Sequence, residues 1–172
     1  MSVRKMSLVA VFAAMCAVLG YLSLDLINLK ITFEDLPVIL GSLLLGPVDG
    51  MLIGGIGTLI YQLLRYGVSA TTILWMLPYI LAGLLVGAVS ARGHFHLSPR
   101  QIMVLSVAAG LMITVLNTGV MYIDSKIYGY YSFVYIFGTL GIRLAICIGK
   151  AIVYGLILPR LSAAVGSAMK MN

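Results

Sequence analysis

Arg143 and Lys150 interrupt the last hydrophobic run of the sequence. On an insertion scale a cation near the centre of a membrane helix costs about 2.5–3.5 kcal/mol, so each needs a partner or a ligand. Seven residues are about two helical turns, a rise of roughly 10 Å, so Arg143, Cys147, Lys150 and Tyr154 share one helix face. Such a stripe belongs in the interior of a bundle. Arg143, at the outer end, is placed either to snorkel to water or to face a ligand. Lys150 lies well inside the run, and the acids that would neutralise it all sit in or beside loops, so it is expected to face a ligand or bridge two helices. In the preceding run Asn117 is surrounded by Thr114, Thr118 and Tyr122. Its amide either bonds a neighbouring helix or reads the polar edge of a ring. Gln62, Arg65 and Tyr66 close the third run, and Trp75 and Tyr79 stand one turn apart around Pro78. Aromatic side chains there are interface anchors or, facing inward, a stacking surface for a flat ligand. The polar stretch LKITFEDLP adds Lys30, Glu34 and Asp35, and DSKIYGYYSF is a tyrosine-rich belt or lid.

Signatures of catalysis are missing. A phosphate loop of the form G-x-x-x-x-G-K fails at Gly149 because Leu144 stands five residues earlier, and G-x-G-x-x-G fails at Gly55 and Gly57 because Ile60 occupies the last place. Any ATP hydrolysis would have to come from a partner. His94 and His96 form an isolated H-x-H with no third ligand nearby, which is weak support for a metal. Neither H-E-x-x-H nor G-x-S-x-G nor a pair of intramembrane carboxylates occurs, so neither a cofactor nor an enzymatic activity is expected.

The elements that must position these residues are membrane helices. Of 172 residues 62% are hydrophobic and 9% charged, with a mean hydropathy of +1.11. That is too apolar for an ordinary soluble domain and reads as an integral membrane protein. Breaks in the hydrophobic runs predict a single all-α domain of six spans, near residues 6–24, 36–45, 48–64, 72–91, 101–123 and 133–161. The second is too short to cross straight, and joins the third through Gly46-Pro47. The net charge of +6 comes from cations scattered singly, which act as topology signals rather than a nucleic-acid surface. Placing both termini in the cytoplasm puts Arg4, Lys5, Arg92, Arg100, Arg160 and Lys170 inside, against Lys30, Arg65 and Lys126 outside, which favours that orientation. Cys16 and Cys147 fall in apolar runs and read as small buried side chains. The basic, apolar N-terminus continues to Leu24 without a convincing cleavage site and is taken as the first span rather than a signal peptide. Small residues recur at helical spacing, at Ala10, Ala14, Ala13 and Ala17, at Gly46, Gly50 and Gly54, and at Gly83 and Gly87. These faces either pack the bundle internally or dock on another membrane subunit, with the first helix the leading candidate for docking.

The run LKITFEDLP followed by GSLLLGPVDGMLIGG resembles the substrate-binding S components of energy-coupling factor (ECF) vitamin transporters, most closely the riboflavin-transporter-like branch. The resemblance spans essentially the whole chain: the basic start, Ala10-x-x-x-Ala14, the outer loop ending Asp35-Leu36-Pro37, the Gly46-Pro47 turn, and Lys150 upstream of LPRL. It implies a six-helix bundle that captures a micronutrient from outside and docks through Ala10 and Ala14 on a shared transmembrane subunit coupled to two ATPases. Riboflavin-binding members carry an asparagine three residues before the sixth-helix lysine, where this sequence has Cys147. The aromatic-Pro-Gly turn of folate-type members is not found in GVSATTILW. With Lys30, Arg65, Arg143 and Lys150 near one outer pocket, an anionic or carbonyl-rich ligand such as pantothenate or a pterin fits, and Gln62, Tyr66, Trp75, Tyr79, Asn117 and Tyr122 complete the expected ligand-binding set. Two other classes compete: a self-contained channel or secondary transporter, which would work without an ATPase, and an intramembrane enzyme, which would need inward carboxylates or a metal cluster.

Overall fold

The computed structural model describes residues 3–26 and 29–170, apart from the side chains of residues 24–30 and 168–170. The chain forms α1 (Val3–Tyr21), β1 (Leu24–Leu26), β2 (Leu29–Ile31), α2 (Asp35–Leu45), α3 (Pro47–Tyr66), α4 (Thr72–Arg92), α5 (Pro99–Tyr128), a π-helical turn (Val134–Gly138) and α6 (Leu140–Lys170). Among the described residues, five helical segments are long and apolar enough to cross a membrane: α1, α3, α4, α5 and the stretch Val134–Ser167. The all-helical class therefore holds, with one addition. The first apolar run does not stay helical to Leu24: α1 ends at Tyr21 and the chain enters an antiparallel hairpin pairing Leu24 with Ile31, Asp25 with Lys30 and Leu26 with Leu29. The reason is local, since Leu22-Ser23-Leu24-Asp25-Leu26 alternates with the period of a strand rather than a helix.

The short helix α2 organises the rest. With 11 residues it is about 16 Å long, roughly half the thickness of a bilayer core. It is apolar all round, as a helix enclosed by others must be. Pro37, Val38, Ile39, Leu40, Gly41, Ser42 and Leu43 are all buried, and α2 touches α1, α3, α4, α5 and α6. Its C-terminal end turns straight into α3. Gly46 adopts φ +101° there, a conformation that favours glycine, and Pro47 takes the first position of α3, where its missing N–H costs nothing.

The glycine faces are spent inside the bundle. A Cβ on Gly83 would collide with the Gly50 carbonyl, one on Gly54 with the Tyr79 carbonyl, and one on Gly87 with Pro47, so these backbones are in contact. In lipid that contact is what holds helices together. On α1 the alanines divide. Ala13 and Ala17 are buried, with Ala13 and Cys16 against Gly57 of α3, whereas Ala10 and Ala14 are exposed beside Met6, Val11 and Val18. At the end of the bundle that carries both termini, Lys5 pairs with the buried Asp49 at 2.6 Å and ties α1 to α3.

Candidate ligand-binding cavity

Halfway along the bundle, toward the hairpin end, a cavity of about 80 Å³ opens between α2, α4, α5, α6 and the segment after β2. Helical spacing supplies most of its wall: Arg143, Ile146, Cys147 and Lys150 from α6, and Gly110, Ile113, Thr114 and Asn117 from α5. Tyr79 of α4, Asp35 of α2, and Ile31 and Thr32 close it. The expected α6 stripe thus faces one space, together with the asparagine of α5.

Lys150 is held by α2 and the segment between β2 and α2. Its Nζ donates to Asp35 Oδ2 at 2.9 Å and to the Thr32 carbonyl at 2.8 Å. Tyr154 Oη donates to Asp35 Oδ1 at 2.8 Å, so both carboxylate oxygens are occupied. Glu34, adjacent in sequence, takes a different direction. It accepts from Thr32 Oγ1 at 3.2 Å and from the Tyr79 hydroxyl, and lies beside Gly20 of α1 and Tyr61 of α3, behind Tyr79 as seen from the cavity. Glu34 and Asp35 are therefore buried at 3% and 5% exposure, not solvated in an outer loop. The cause is the length of α2: a helix of half the bilayer thickness whose C-terminal end lies at the opposite surface has its N-terminal end, with Glu34 and Asp35, at mid-depth. Those acids also suit the positive end of the helix dipole.

The other polar groups of the wall are less completely matched. Among the described residues the Arg143 side chain makes one hydrogen bond, from Nη1 to the Met121 thioether at 3.7 Å. Asn117 Oδ1 is buried without a hydrogen-bond partner among the described residues. Thr114 Oγ1 donates to the Gly110 carbonyl at 2.9 Å.

Apart from Lys30, the remaining sequence-predicted residues lie outside the cavity wall. The backbone of Lys30 is in β2, and its side chain lies outside the described residues. Gln62 is buried in α3, Arg65 Nη1 donates to the Tyr21 carbonyl at 3.4 Å, and Tyr66 meets Tyr61 edge to face. Trp75 is half-buried and absent from the cavity wall. Tyr122 packs edge-on against Tyr131, with Lys126 Nζ 3.8 Å from the Tyr131 ring centroid. Tyr122 thus packs with Tyr131 and Lys126, next in sequence to a second polar cluster centred on Asp124. There Asp124 accepts from Thr71 and from Tyr130, while the Ala70 N–H donates to Tyr128 Oη at 3.1 Å. Burial, then the hydrogen bond to Asp124 and its charge, raise the Tyr130 pKa above the usual tyrosine value. Together these bonds clasp the α3–α4 connection to the end of α5.

Among the described residues no group of three or more His, Cys, Asp or Glu is placed to hold a metal ion. The architecture is that of a membrane protein with a polar cavity inside an apolar bundle. The family model of the ECF transporter substrate-specific component matches residues 4–168, and the chain belongs to that family. No curated protein matches it. It is accordingly a multi-pass plasma-membrane transport subunit, not itself an enzyme, that works with shared ECF membrane and ATPase subunits on a small-molecule substrate.

Proposed function

We propose that this subunit captures a vitamin-class micronutrient in the cavity around Lys150 and passes it to the cytoplasm through a complex powered by two partner ATPases. Both termini are cytoplasmic in this reading, since the basic residues Arg4, Lys5, Arg92, Arg100 and Arg160 gather at the end of the bundle opposite the hairpin. The ligand enters from outside, at the hairpin end. The observation that carries the reading is the meeting of Asp35, Asn117, Arg143 and Lys150 on one cavity inside an otherwise apolar bundle. Polar groups at that depth are expensive, and a binding site is what repays them. Within the wall only Ile31 and Thr32 lie outside helices. That segment gives way to admit a ligand larger than the cavity. Folate or a pterin, pantothenate and riboflavin are the substrates considered. Docking on the shared transmembrane subunit uses the outward face of α1 at Ala10 and Ala14.

Mass spectrometry of small molecules released from the purified subunit tests the reading directly: a vitamin-class compound is expected, and its absence from protein that also fails to bind any of these vitamins would sink it. Ala10→Trp or Ala14→Trp should abolish uptake while leaving binding by the isolated subunit intact.

A further inference from the structure

The cavity contains unequal numbers of matched and unmatched polar groups, and the mismatch has a sign. Lys150 is a cation with a dedicated acid: Asp35 neutralises it, and two of its N–H groups are engaged. Asp35 in turn has each oxygen bonded, one to Lys150 and one to Tyr154. Glu34 points away behind Tyr79. That leaves Arg143, on the wall, with no carboxylate at ion-pair distance among the described residues and only a thioether, a weak acceptor, against one of its donors. A guanidinium in a half-buried setting calls for an anion. Asn117 Oδ1, on the same wall, is a buried acceptor that lacks a donor. A buried acceptor left unmade costs about 1–3 kcal/mol, so it too is expected to be met by whatever fills the space. The apolar remainder of the wall, Ile31, Ile113 and Ile146, suits a ring or a short carbon skeleton.

We infer that the ligand carries a carboxylate or equivalent anionic oxygen that pairs with Arg143, and beside it an N–H or O–H that donates to Asn117 Oδ1. This rests on the reading of the cavity as the capture site and narrows it to acids with an adjacent donor. Neutral ligands of the same size are disfavoured because they leave the Arg143 charge unmet. Lys150, already neutralised, supplies a hydrogen bond rather than charge selection.

Benzoate and benzamide, alike in shape and different in charge, test the inference in the purified full-length subunit. Cys147 lies on the cavity wall, so occupancy is read as protection of its thiol from methyl methanethiosulfonate, with peptide masses separating it from Cys16. Benzoate at a concentration well above its dissociation constant should slow modification at least about fivefold by simple occupancy, and benzamide should not. Arg143→Gln should remove the protection and Arg143→Lys should restore part of it, while the thermal midpoint from Trp75 fluorescence shows that each variant is folded. Equal protection by benzamide, no protection by benzoate, or protection that survives Arg143→Gln overturns the inference. The bound compound separates the two levels of argument. If wild-type protein yields a micronutrient with no acidic group, the capture site stands and the charge assignment falls. If no micronutrient binds at all, both fall together.

Discussion

Asp35 and Asp124 are both buried carboxylates that accept a tyrosine hydroxyl, yet they are neutralised differently. Asp35 lies at mid-depth and is matched by the Lys150 ammonium as well as Tyr154. Asp124 lies at the rim and has only the hydroxyls of Thr71 and Tyr130, with no cation at ion-pair distance among the described residues. Lys126, two residues further on, covers the Tyr131 ring instead. Depth explains the contrast. Bulk water is farther from the middle of the bundle, so a full counter-ion suits the charge there, whereas hydroxyls and nearby solvent suffice at the rim. The two clusters should therefore differ in how easily they open: the inner pair is fixed, and the rim clasp is the weaker of the two.

The largest expected effect comes from breaking the inner pair. Lys150→Met leaves Asp35 buried with the Tyr154 hydroxyl but without a counter-ion, which should cost on the order of 3–5 kcal/mol of stability in detergent unfolding, along with more than about tenfold in ligand affinity. The double variant Lys150→Met with Asp35→Asn should recover most of the stability and none of the affinity. Recovery of affinity as well would remove Lys150 from the site.

At the rim, Asp124→Ala strands two hydroxyls and should cost about 1–3 kcal/mol. Faster hydrogen exchange is expected in the α3–α4 connection and after α5, and a loss as large as that of Lys150→Met would erase the distinction between the clusters. Tyr128→Phe removes the acceptor of the Ala70 N–H and should cost about 0.5–1.5 kcal/mol, seen as exchange at that one amide. The mildest effect is set by pH. Because the folded protein raises the Tyr130 pKa, its contribution is complete below the unfolded tyrosine value near 10 and is lost as pH rises through the folded value. Protection of the clasp amides, taken relative to their base-catalysed intrinsic exchange rates, should fall above about pH 10 in the wild type. In Tyr130→Phe that fall should be much smaller, and an identical profile would assign it to another group.

Much of the helical frame was readable from hydropathy, because membrane helices announce themselves by length and apolarity. Gly46-Pro47 marked its turn for equally direct reasons of backbone geometry. The polar stripe of α6 and Asn117 were readable because a polar side chain inside an apolar run has few alternatives. What could not be read were the consequences of depth. Glu34 and Asp35 looked like loop acids, since sequence shows that they adjoin a polar stretch but not that α2 begins below the surface. Tyr122 and Trp75 looked like ligand-stacking rings from their position near helix ends. Only the rotation of each helix sends Tyr79 into the cavity wall, Trp75 away from it, and Tyr122 to the rim. The hairpin was hidden inside an apolar run whose period changes from helical to alternating near Leu22. The glycine faces of α3 and α4 were ambiguous because internal packing and subunit docking use the same spacing.

The shortness of α2 also bears on how the chain is made. A helix of about 16 Å is poorly suited to enter a bilayer alone, so α2 and α3 are expected to insert as one re-entrant unit hinged at Gly46. The counter-ion of Asp35 is encoded 115 residues later. The acid is therefore synthesised before its counter-ion, which arrives only with the last helix. Completion of α6 and closure of the cavity wall are thus linked, and a chain that stops short of Lys150 would lack the counter-ion of Asp35.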